Sequence, residues 1–143
     1  VAGFGWGRPV YTNPRYYRCE PRTGMAMVAI AGPLSNLALA MLASFPLRLQ
    51  LITQPNLAVS VWTFISINVV LLVFNLIPIP PLDGFKVAVG FLPDDWARVL
   101  LRLEQYGPMI LLLLILVGRL GFPLLGLLIG PAYAVIVEML VGA

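Results

Sequence analysis

Asp83 is the residue of this chain best placed to do chemistry. It closes the stretch Asn75-Leu76-Ile77-Pro78-Ile79-Pro80-Pro81-Leu82-Asp83-Gly84, and no charged residue stands between Arg48 and Asp83. A carboxylate at the end of a long apolar run is costly at membrane depth and is by default a functional group. The three prolines explain how it can be held there. They remove N–H donors, stop the helix and restrict Pro78, Pro80 and Pro81 to extended geometry. Irregular backbone of that kind is tolerated in a membrane only where protein or a wet cavity surrounds it. Gly84 then supplies a close turn that aims the Asp83 side chain. Taken by itself, an Asp after a broken helix, facing asparagines, describes an ion or proton site as well as an enzyme's carboxylate.

Helices must position these groups. The interval from Arg22 to Arg48 carries no charge and predicts a span over residues 24–45. At 100° per residue, Ala26, Ala29, Gly32, Asn36, Ala40 and Ala43 fall on one face. Small residues let helix backbones approach closely in lipid, so this face is expected to pack on another helix, the one that ends at Asn75. Pro33 frees a carbonyl and bends the helix. A second span is expected over 57–77, with Ser60, Thr63, Asn68 and Asn75 on one polar side. That side leads to Asp83 and is read as the wall of a polar cavity. Next, Pro93-Asp94-Asp95 opens an amphipathic helix with acids in its first turn and an Asp94–Arg98 pair at i,i+4. It is expected to lie at the interface and to run into a third span at about 97–118, followed by a bent fourth span over 120–141. Residues 1–23, with Arg8, Arg15, Arg18 and Arg22, read as an interfacial loop or a short edge strand.

Composition excludes most other classes. A chain that is 60% hydrophobic, 10% charged and of mean hydropathy +0.95 is not an ordinary soluble domain. The reading is one all-α membrane domain over 1–143, with about four transmembrane helices, an interfacial amphipathic helix and a short N-terminal loop or strand. Nine basic residues are spread too thinly to make a nucleic-acid surface. The single Cys19 forms no intrachain disulfide and has no histidine to activate it. Four spans put Arg8, Arg15, Arg18, Arg22, Lys86, Arg98 and Arg102 on one side and Arg48 and Arg119 on the other. This asymmetry predicts that both termini and Asp83 face the cytoplasm.

Two motifs carry a family resemblance. Asn75-x-x-Pro78-x-Pro80-x-Leu82-Asp83-Gly84 resembles the C-terminal signature of the site-2 proteases, intramembrane zinc metalloproteases, and Gly32-Pro33-x-x-Asn36 resembles that family's second motif. The resemblance implies that Asp83 is the third ligand of a Zn²⁺ ion, with two histidines and a general-base Glu on a His-Glu-x-x-His helix. This chain has no histidine, so those residues are expected upstream and no catalytic base is assigned here. Asn36 and Asn75 become candidate amide donors to substrate or an oxyanion, and Asn68, Gly32, Pro33 and Gly84 line the site. The Gly-Trp-Gly-x-Pro-Val segment before the first span gains weight as an edge strand that pairs with unwound substrate. The implied substrate is a transmembrane protein or peptide, cut within a lipid bilayer of a bacterial or archaeal cell. The chain alone is expected to be inactive. The alternatives are an inactive relative of such proteases and a component of an ion- or proton-coupled transporter.

Overall fold

A computed structural model describes residues 21–121 and 123–142. Among them there are six α-helices and no strand: α1 (Pro21–Arg48), α2 (Pro55–Leu76), α3 (Asp83–Phe91), α4 (Asp94–Leu103), α5 (Gly107–Arg119) and α6 (Leu124–Val141). A 3₁₀ turn at Glu104–Tyr106 joins α4 to α5. Four segments are long and apolar enough to cross a membrane: Arg22–Arg48, Pro55–Leu76, Asp94–Arg119 and Leu124–Val141. The loop or strand expected over residues 1–23 falls outside the described residues except at its end, where Pro21 already begins α1.

Local chemistry sets the helix ends. Pro55 stands at the first position of α2, where a missing N–H costs nothing. Pro78 forbids continuation, and α2 stops at Leu76 with Ile77 extended at φ −63°, ψ 128°. The following residues turn more tightly than the expected extended segment. Ile79 N–H donates to the Ile77 carbonyl at 2.8 Å and Leu82 N–H to the Ile79 carbonyl at 2.9 Å. α1 runs on through Pro33 and Pro46, and Pro33 is fully buried. α3 has no counterpart among the sequence-based expectations.

Two apolar clusters organise the packing. Ala40 of α1, Ile65 and Val69 of α2 and Val137 of α6 form one; Phe85 and Val89 of α3 with Ala97 of α4 form the other. The small-residue face of α1 is therefore divided between partners. Ala40 meets α2 and α6, whereas Ala26 lies under Gly90 of α3. Tyr133 of α6 and Ser66 of α2 are hydroxyl partners at 3.0 Å, which pins these helices at mid-length.

The direction of α6 departs from the expected topology. Val141 packs beside Leu47, Ala58 and Trp62, and Gly142 lies beside Arg48. α6 thus runs parallel to α1, and its C-terminal end stands at the end of α1 away from Arg22. Both termini were expected on the Asp83 side; the close seating of Val137 on Ala40 and of Val141 on Leu47 places the C-terminal end at the opposite one.

Candidate functional site

Asp83 is the first residue of α3 and is half-buried. Its position follows from contacts that glycines permit. A Cβ on Gly84 would overlap the carbonyl of Leu76 and stand 2.7 Å from the Ile77 oxygen. Gly84 is helical and buried. It serves to let α3 abut the end of α2 and does not form the tight turn expected from the Asp-Gly pair. A Cβ on Gly107 would lie 2.8 Å from Pro80, so the start of α5 presses on the proline segment that leads into Asp83. On the other side, a Cβ on Gly32 would lie 3.2 Å from Asp83 Oδ2. The two motifs, on separate helices, therefore meet at this carboxylate.

The remaining site candidates are distributed unevenly. Pro33 is buried within α1, and Asn36, one turn beyond Gly32, is half-buried. Asn75 is also half-buried, next to the Leu76 carbonyl on which Gly84 rests. Asn68 is buried, and its side-chain amide donates to the Phe64 carbonyl at 2.8 Å within α2. Ser60 and Thr63 likewise donate to the carbonyls of Asn56 and Val59 on their own helix. The polar side of α2 is thus largely satisfied by α2 itself near its middle, and among the described residues its amide without a side-chain partner is Asn75, at the Asp83 end.

Sequence reasoning counted Arg22 only as a membrane-flanking charge. In the fold its Nη2 donates to the carbonyls of Val89 at 2.9 Å and Leu92 at 2.6 Å, and its Nη1 pairs with Asp94. Asp94 was expected to pair with Arg98. Instead the Arg98 guanidinium takes Asp95 at 2.6 Å, since Asp94 turns to Arg22. The available signal was an arginine just ahead of a long uncharged interval and an acid opening a later helix, with nothing to join them.

A metal centre needs more donors than this. No three His, Cys, Asp or Glu side chains come together among the described residues. Asp83 offers one carboxylate and its asparagine neighbours offer neutral amides, a poor set for zinc, which takes three protein ligands at catalytic sites. The residues present supply one ligand and do not complete a zinc site. A cavity of about 590 Å³ lies between α1, α2 and α6, lined by Leu37, Met41, Leu72, Leu76 and Met139 with Arg48 at its far end. It is an apolar groove, and Asp83 is not in its wall.

The chain resembles several known proteins. It is 38% identical over 124 residues to "Putative zinc metalloprotease YwhC" of Bacillus subtilis, a match covering 80% of this chain and 55% of that protein. To "Putative zinc metalloprotease Rip2" of Mycobacterium tuberculosis it is 34% identical over 119 residues, covering 80% of this chain and 44% of that protein. It is 43% identical over 82 residues to "Putative zinc metalloprotease MJ0611" of Methanocaldococcus jannaschii, covering 55% and 40%. No family model matches the chain, and no solved structure matches it significantly. The chain spans about half the length of the curated relatives it matches.

Proposed function

We propose that this chain, homologous to proteins named as zinc metalloproteases and consistent with the site-2 protease family, contributes the carboxylate side of an intramembrane protease site. One observation carries the reading. Asp83, the acid of the Asn-x-x-Pro-x-Pro-x-Leu-Asp-Gly segment, stands against Gly32 of Gly-Pro-x-x-Asn, so two separately recognised motifs converge on one oxygen.

Asp83 is the metal ligand in this reading. Bound zinc would supply a water of pKa about 7 and a polarised carbonyl. The other ligands and the general base lie on residues outside this set, so the 143 residues alone do not cleave peptides. Asn36, one turn beyond Gly32, and Asn75, at the end of α2, offer amide donors to a substrate's backbone or to an oxyanion. The substrate is a membrane-spanning protein or peptide, and the protein is a multi-pass component of a bacterial or archaeal cell membrane. Arg22, Lys86, Arg98 and Arg102 flank the Asp83 end and Arg48 the other, which supports a cytoplasmic Asp83.

The test is proteolysis of a membrane-spanning substrate by the full-length gene product. Asp83→Ala is expected to abolish cleavage, and Asp83→Asn to do the same by removing the ligand's charge. Normal cleavage by Asp83→Ala would overturn the assignment. If instead ion or proton flux follows Asp83 in a protein that cleaves nothing, the transporter reading replaces this one.

A further inference from the structure

α3 is attached to α1 at both of its ends. At its N-terminal end Asp83 stands over Gly32. At its C-terminal end the Arg22 guanidinium donates to the Val89 and Leu92 carbonyls and pairs with Asp94 at the start of α4. The Val89 carbonyl belongs to the last turn of α3 and the Leu92 carbonyl to its C-cap, where the helix itself provides no donor. A cation is also favoured there by the helix dipole. Between the two attachments, Gly90 lies so close to Ala26 that a Cβ would overlap its methyl group.

The spacing matches on the two helices. Arg22 to Gly32 covers about 15 Å along α1, and Leu92 to Asp83 covers about 13.5 Å along α3, at 1.5 Å per residue. The helices are antiparallel over this length, so α3 cannot slide on α1 without breaking contact at one end. We propose that Arg22 is a positioning residue: by holding the last turn of α3 it sets where Asp83 stands against Gly32. It does so through α3 and touches neither Asp83 nor a substrate. Only its effect on proteolysis rests on the protease reading; its effect on the Asp83–Gly32 register does not.

Disulfide cross-linking reads that register directly. In a full-length protein carrying Cys19→Ser, the pair Gly32→Cys and Asp83→Cys should oxidise readily, because a Cβ at position 32 would stand 3.2 Å from the tip of the side chain at 83. Adding Arg22→Gln should slow this cross-link by about fivefold or more, because a disulfide tolerates only a narrow Cβ separation. Arg22→Lys, which keeps a charge and a donor, should fall between the two. Arg98→Gln, at an exposed ion pair with Asp95, should leave the rate unchanged. An unchanged rate in Arg22→Gln would overturn the proposal. So would a slowing no greater than the loss of folded protein measured by thermal unfolding in the same membranes. With Asp83 intact, Arg22→Gln should lower kcat about tenfold while KM stays within about twofold, the pattern of a displaced group that acts after binding. A rise in KM alone would assign Arg22 to substrate binding and overturn positioning. A wild-type protein that cleaves nothing refutes the protease reading, and the cross-link then decides Arg22 by itself.

Discussion

Gly32 faces the carboxylate of Asp83 so closely that a methyl group on it would lie 3.2 Å from Oδ2. That separation is tighter than ordinary van der Waals contact, so any side chain at 32 must move the carboxylate or part α1 from α3. The carboxylate is the softer of the two. Substitution at Gly32 should therefore disturb the site before it disturbs the fold.

Gly32→Ala is expected to leave the protein folded and to lower activity. Gly32→Leu, which displaces Asp83 by on the order of 1 Å, should cost about 100-fold in kcat. Leu39, exposed on the same helix, should accept Phe without loss. Cleavage assays of the three variants in parallel make the comparison, and equal tolerance would show that Asp83 is not constrained from this side.

Gly84 has no such soft neighbour. Its missing Cβ makes room for the backbone carbonyls of Leu76 and Ile77, which cannot yield without moving α3. Gly84→Ala should destabilise the protein by roughly 1–3 kcal/mol. Among the described residues nothing lies within 4 Å of a Cβ on Gly118, inside α5, so Gly118→Ala should be neutral or stabilising by up to about 1 kcal/mol. Thermal unfolding in detergent ranks the two, and the reverse order would refute the packing described for α3.

Side-specific labelling tests the course of the chain. α5 starts against Pro80 at the Asp83 end, and α6 runs parallel to α1, so its first turn points to that same end. Single cysteines at Thr53 and Gly142 should be labelled from one side of the membrane, and those at Lys86, exposed on α3, and Leu120 from the other. This arrangement places Arg119 with Arg22, Lys86, Arg98 and Arg102 and leaves Arg48 opposite, a stronger charge asymmetry than the four-span alternation gives. Labelling of Gly142 together with Lys86 would restore that alternation.

Zinc analysis of the purified 143-residue chain should find no tightly bound stoichiometric metal, because Asp83 is a single ligand. Equilibrium dialysis followed by elemental analysis measures this. One equivalent of zinc retained against a weak chelator would mean that these residues make a complete site.

Much of this fold was legible in the sequence, for reasons that differ between elements. Uncharged intervals between Arg22 and Arg48 and between Arg48 and Asp83 mark α1 and α2, because charge is what a span must avoid. The buried state of Ala26, Ala29 and Ala40 follows from their common face. Which helix covers that face does not, since small residues permit an approach without choosing a partner. α3 was hidden because Leu-Asp-Gly reads locally as a turn. Only the tertiary contact of Gly84 with the end of α2 makes a helix start there. The direction of α6 was hidden as well, because hydropathy has no polarity along the chain. At the site, Asp83, Gly32 and Pro33 were readable as motif residues, whereas Arg22 acts through partners more than sixty positions away, a separation over which no periodicity connects them.

The seating of Gly142 beside Arg48 has a practical corollary for handling the protein. An affinity tag, a fluorescent reporter or a surface tether joined after the last residue would stand on the membrane face remote from Asp83. Capture through such a handle would leave the Asp83 end of the helices facing away from the support.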